Sequence, residues 1–219
     1  IYTKNFGYEA MPLLLEAAEN PNKPFRYAVL NLAVNTGGIA SSRAWIAKAK
    51  SVTPEIKADI INMLAQKGDL PNLDFIRENL RASSDGVREE SIQALVKLQG
   101  RKAVPVIIEH MAAGKDLAVA KSALLQLLDN KHLAPVAAQL NKTSGEVKSI
   151  FIELIAAKAG KAYFNEILAL TGSDHAAVRS AAFNALKNVS AEKDLDELIE
   201  LLLGVDDENE ILQSQLAVI

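Results

Sequence analysis

The 219-residue chain has no cysteine, one tryptophan and only 5% aromatic residues. Without thiols there is no disulfide, no thiolate nucleophile and no cysteine-based zinc site, and this absence suits a reducing or an oxidising compartment equally, so localisation stays open. No hydrophobic run is long enough to span a bilayer, and no secretory core is visible, so membrane insertion is not expected. No GxSxG, glycine-rich phosphate loop or dinucleotide fingerprint occurs. His110, His132 and His175 lie far apart and share no ligand spacing such as HExxH. These absences predict no catalytic residue, no metal and no cofactor, hence a chain that is not an enzyme.

What the chain does contain is a period. In residues 174–186, DHAAVRSAAFNAL, Val178 can be taken as position zero. Arg179 follows it, then Ala182 at plus four, Phe183 at plus five and Leu186 at plus eight. Helical spacing puts the apolar members on one face. The same pattern starts at Phe25, Ile56, Val87, Val119, Val147 and Ile211, so the anchors lie 31, 31, 32, 28, 31 and 33 residues apart. A constant interval of this size is the mark of stacked supersecondary units.

Each anchor helix is preceded by a shorter apolar segment. Met11-Pro12-Leu13, Val104-Pro105-Val106 and Ala134-Pro135-Val136 open three of these with proline, while Phe164-Asn165-Glu166 and Leu195-Asp196-Glu197 open two without it. The first pair is expected over residues 8–19 and 25–35, broken at Pro21 and Pro24. Thr53 before Pro54 should cap its helix, as should Asp85, Asp116, Ser144 and Asp174 theirs. Gly37, Gly68, Gly100, Asn130, Gly160 and Asn188 fall where a left-handed C-cap is wanted. Residues 1–7 read as a lead-in.

An early proline in the first helix, then Asp, then Val-Arg opening an apolar second helix, is a pattern that resembles the HEAT-repeat family and the similar HEAT-like repeats of bacterial proteins. It is met most fully by residues 102–111 and 174–186. The departures are Ala120 and Leu212 at the basic position and an irregular second unit around residues 41–50. The resemblance implies an all-α solenoid, a superhelix of about seven stacked antiparallel helix pairs forming one repeat domain over residues 1–219. Stacked at about 9 Å per pair, it would make a curved rod about 60 Å long. The abrupt end inside a helical pattern suggests part of a longer chain.

Function in such an array would lie on its surfaces. The basic row Arg26, Lys57, Arg88, Lys148 and Arg179 sits 100° from the anchor, inside the apolar arc, so these side chains should point into the joints between repeats and pair with acids such as Asp85 or Asp174 or with loop carbonyls. The outward positions are plus two, plus six and plus nine. They supply Tyr27, Asn31, Asn62, Gln93, Leu125, Glu153 and Asn184 as candidate protein-binding residues, with an amide recurring at plus six. Amides carry donor and acceptor together and suit an extended peptide backbone. Trp45 reads as core. The acids at 194–197 and 206–208 read as first-turn residues favoured by the helix dipole rather than as a cation site.

The leading expectation is therefore a noncatalytic interaction or scaffold module that binds a protein or peptide. Alternatives are an accessory domain beside a catalytic one, or an enzyme of HEAT-like architecture, since one similar group removes alkylated bases from DNA and another attaches bilin pigments. Net charge argues against nucleic acid: it is −3. Nine acids crowd residues 191–210 against Lys193 alone, leaving a surplus of five cations over the remainder. Titrated with duplex DNA, the chain should bind weakly and let go at physiological salt. Tight binding there would revive the glycosylase alternative.

Overall fold

The computed structural model describes residues 7–218; the expected lead-in over residues 1–6, and Ile219 at the last apolar position, lie outside them. Seven helix pairs follow in chain order among the described residues: α1 (Met11–Ala17) with α2 (Lys23–Val34), α3 (Gly38–Ala49) with α4 (Pro54–Lys67), α5 (Leu70–Asn79) with α6 (Asp85–Gln99), α7 (Val104–Ala112) with α8 (Leu117–Leu127), α9 (Ala134–Ala137) with α10 (Gly145–Ala157), α11 (Phe164–Leu170) with α12 (Ala176–Val189), and α13 (Leu195–Gly204) with α14 (Glu208–Val218). No strand occurs among these residues. The chain is all-α, and its helix pairs stack as an α-solenoid.

The helices group into two compact units, Ile1–Ala103 and Val104–Ile219. In the first unit α2, α4 and α6 pack side by side as one layer, and α1, α3 and α5 form the other. In the second, α8, α10, α12 and α14 make the second-helix layer. The reason is the apolar arc. At plus five, Leu30, Ile61, Ile92, Leu124, Ile152 and Phe183 are all buried, and at plus eight Ala33, Leu64, Leu95, Ile155 and Leu186 are completely so. Each buried aliphatic side chain of this size is worth about 1.5–3 kcal/mol relative to exposure, and no helix pair could supply that cover alone. Exposure is greatest in the first and last pairs, where Phe25 and Leu216 are 48% and 42% exposed, and Val119, Leu127 and Val147 of the middle pairs are half-buried. Ser91 holds a core position at plus four because its hydroxyl donates to the Val87 carbonyl at 2.7 Å.

Local signals fared unevenly. Pro54 opens α4 behind Thr53, whose hydroxyl accepts from the Ile56 amide. Ser84 and His175, rather than Asp85 and Asp174, stand at the N-caps of α6 and α12. Asp116 and Ser144 occupy the cap positions without a capping bond from their side chains; the Asp116 carboxylate instead faces the buried His110 ring at 2.7 Å. Gly68 is the left-handed C-cap expected of it; Gly37 is left-handed but stands at the N-cap of α3, and Gly100 has a φ of 52° with a ψ of −132°, outside the left-handed helical region. Asn188 lies inside α12, Asn130 is not left-handed, and Ala159 takes the positive φ expected of Gly160.

Gly160 is needed for space. A Cβ there would lie 2.7 Å from Ile155 Cγ2 and 2.8 Å from Leu133 Cδ1, so the turn after α10 passes too close to its own core for a methyl group. Gly160→Ala should therefore cost about 1–3 kcal/mol through overpacking, although its φ of −74° suits any residue. A thermal melt of the variant checks this, and an unchanged midpoint would show that the core yields freely.

Candidate binding surface on the second helices

The candidate surface is set by what the apolar arc leaves outside. Tyr27, Asn31, Asn62, Gln93, Glu153 and Asn184 are exposed and Leu125 is half-buried, each on a second helix. The exposed strip is narrower than expected. At plus nine, Ala65, Val96 and Leu128 are buried, because helices on either side close over that edge. Plus six remains open, half-buried only at Leu125, while plus two is exposed at Tyr27, Glu89 and Ser180, half-buried at Ala58 and Lys121, and buried at Ser149.

These side chains are partly engaged with one another. Asn62 Nδ2 donates to Glu90 Oε1 of the next repeat at 2.7 Å, and its Oδ1 accepts from Gln66 at the same distance. Asn184 turns back on its own helix to the Ser180 carbonyl. Glu153 is joined to Lys121 across α8 and α10 at 2.5 Å. Two clefts open between consecutive second helices. One, of about 280 Å³, lies between α2 and α4 with Glu90 of α6 at its rim. The other, of about 400 Å³, lies between α12 and α14 and includes Arg179, Phe183, Asn184 and Glu210. Both are lined at plus two, plus five and plus six of the leading helix.

Arg26 and Arg179 of the basic row point into the joints between repeats, as their helical position requires. Arg26 is 1% exposed. Its guanidinium donates to Asp59 Oδ2 and Glu55 Oε1 of the following repeat, each at 2.7 Å, and to the Asn20 carbonyl at 2.9 Å. Arg88 reaches the Ala82 carbonyl and Asp85. Arg179 reaches the Ser173 carbonyl and, in the following repeat, Glu210 at 2.9 Å. Asn20, Ala82 and Ser173 each precede their arginine by six residues. Each arginine thus satisfies a carbonyl just past the end of its own first helix, where a cation is favoured. Lys57 and Lys148 are half-buried.

A second lysine position escaped the sequence reading. Lys67 and Lys158, each at plus eleven, extend back to the end of the preceding second helix: Lys67 to the Thr36 carbonyl at 2.7 Å and Lys158 to the Leu125 carbonyl at 2.6 Å. The signal was a basic residue at one register in two of the units, 91 residues apart. It was hidden because the other units hold uncharged residues there.

Among the described residues, no three of His, Asp or Glu converge as a metal would require. The acids near the chain end behave as first-turn residues: the Asp194 carboxylate accepts from the Ala191 amide, and that of Asp207 from the Asn209 and Glu210 amides. Trp45 is fully buried. No helix among the described residues is long and apolar enough to cross a membrane.

No family model matches the sequence, and no curated protein does. The structure resembles human deoxyhypusine hydroxylase in complex with glycerol, at 11% identity over 96% of this chain and 95% of the other, with a TM-score of 0.40. It also resembles the complex of CpcE and CpcF of phycocyanin lyase from a Nostoc species, at 14% identity over 95% and 94%, with a TM-score of 0.44. Both are HEAT-like helical proteins. They correct one expectation. The sequence was read as that of a protein without enzymatic activity, yet both similar structures are of enzymes, so the lack of a familiar motif does not make this chain noncatalytic.

The plus-eleven lysines give a direct test of the joints. Lys158→Met keeps the aliphatic stem and removes the charge over the end of α8, which should cost about 1–2 kcal/mol. Urea denaturation measures the loss; a variant as stable as the parent would show that the Leu125 carbonyl is equally well served by water.

Proposed function

We propose that the chain binds a protein partner along the exposed strip of its second helices, with Asn31 and Gln93 among the contacts in the first unit and Leu125, Glu153 and Asn184 in the second. The supporting observation is the set of clefts between consecutive second helices. They open where the apolar arc ends, and they combine apolar floors with amides and charges at the rim. Recognition sites have this composition, an apolar base with a few placed polar groups. The phycocyanin lyase structure is a complex of two chains, and a partner held on this strip can be a catalytic subunit or a protein substrate.

The test is site-directed cross-linking. A photoreactive residue at Asn31 or at Gln93 should capture one and the same protein, whereas the same residue at Arg77, exposed on the first-helix layer, should not. Asn31→Ala and Gln93→Ala should each weaken that complex by about 1 kcal/mol per lost hydrogen bond and leave the melting temperature nearly unmoved. Capture from Arg77 alone would place the partner on the other layer and overturn the proposal.

A further inference from the structure

The cleft between α2 and α4 has features that single out one kind of occupant. Its floor is apolar, made by Leu30 and Met63, which are 3% and 2% exposed. Its walls carry Tyr27, Asn62, Gln66 and Glu90. At about 280 Å³ it falls below the usual range for a drug-sized ligand or cofactor, and it is open enough to admit one long side chain.

The charges are unevenly satisfied. Asp59 and Glu55 are both taken by Arg26. Glu90, half-buried at the rim, accepts a hydrogen bond from Asn62 and meets no cation within ion-pair distance among the described residues. Burial pushes its carboxyl above the ordinary range; the Asn62 hydrogen bond opposes this, the Asp59 charge reinforces it, and the more distant Lys97 opposes it. A carboxylate in that position is stabilised by an arriving cation. The Tyr27 ring is 43% exposed, and the Lys23 ammonium already rests 5.5 Å from its centroid. The ring thus already carries a cation within cation–π range.

We propose that this cleft is an arginine pocket: it receives the guanidinium of one arginine side chain from a protein partner, with Glu90 accepting its N–H groups, Tyr27 stacking on its plane and Leu30 and Met63 covering its aliphatic stem. Guanidinium is favoured over ammonium because it is planar, more weakly hydrated and able to stack on a ring while donating in its own plane. Lys23 is the internal competitor, and the incoming guanidinium displaces it. The inference rests on the reading of the second helices as a protein-binding strip, and it names the side chain that one part of that strip selects.

The experiment uses the full chain and three small probes: N-acetyl-arginine amide, N-acetyl-lysine amide and the uncharged N-acetyl-norleucine amide. NMR follows the side-chain NH₂ signals of Asn62 and Gln66. The arginine probe should move both signals saturably, more tightly than the lysine probe, while the norleucine probe should not. Glu90→Gln should weaken the arginine probe about tenfold, the loss of one charge-assisted hydrogen bond, with an unchanged thermal midpoint showing that the variant is folded. Lys23→Ala should tighten it. Absence of saturable shifts, equal binding by lysine or norleucine, or indifference to Glu90→Gln would each overturn the pocket. The cross-linking result is separate: a pocket that binds arginine beside a strip that captures no protein would sink the broader reading alone, and the converse would sink only the pocket.

Discussion

Everything in this fold depends on one unmet need: a short helix pair cannot bury both of its apolar faces, so each must be covered by its neighbours. The positions that carry this need are the same in every repeat. Ile60, Ile61 and Leu64 of α4 and Phe151, Ile152 and Ile155 of α10 are completely buried, and each helix lies between the second helices of other repeats. Where one side has no following helix among the described residues, the same register opens to solvent, as at Leu216. Burial at these positions is a property of stacking, and the residue types alone do not confer it.

Charge is used in the same joints. A guanidinium on the apolar arc is costly to desolvate, and the fold offsets that cost by giving it partners on two sides. Arg26 is the fullest case, held by a carbonyl of its own repeat and by two carboxylates of the next. Arg179 repeats the arrangement with Ser173 and Glu210. Lys67 and Lys158 run the opposite way, from one repeat back to its predecessor. The second helices are thus linked in both directions by groups that lie off the plus-six row.

Most of this architecture was legible because period and helical register are local quantities. The anchors, the apolar arc and the inward direction of the basic row can be read by counting residues. Three features resisted. The carboxylate partners of Arg26 and Arg179 were sought within the same repeat, whereas they sit about thirty residues on, where only stacking brings them near. Gly160 looked like a turn glycine and serves as a space glycine, since only the packed positions of Leu133 and Ile155 forbid a methyl group. Glu90 drew no notice because its chemistry depends on Asn62, one repeat earlier. An absence of motifs, for its part, is evidence about known motifs alone.

The central claim is that consecutive second helices are energetically joined, and the Arg26–Asp59 contact between α2 and α4 isolates it. A double-mutant cycle with Arg26→Ala, Asp59→Ala and the pair, measured by urea denaturation, tests it most directly. Arg26→Ala should cost about 3–5 kcal/mol, since it strands the buried Asp59 carboxylate, and Asp59→Ala about 1.5–3 kcal/mol, since Arg26 keeps Glu55 and the Asn20 carbonyl. The double should cost about 2 kcal/mol less than their sum. Additivity to within about 0.5 kcal/mol would mean that the two repeats do not communicate through this joint, and the account of the stack would fail.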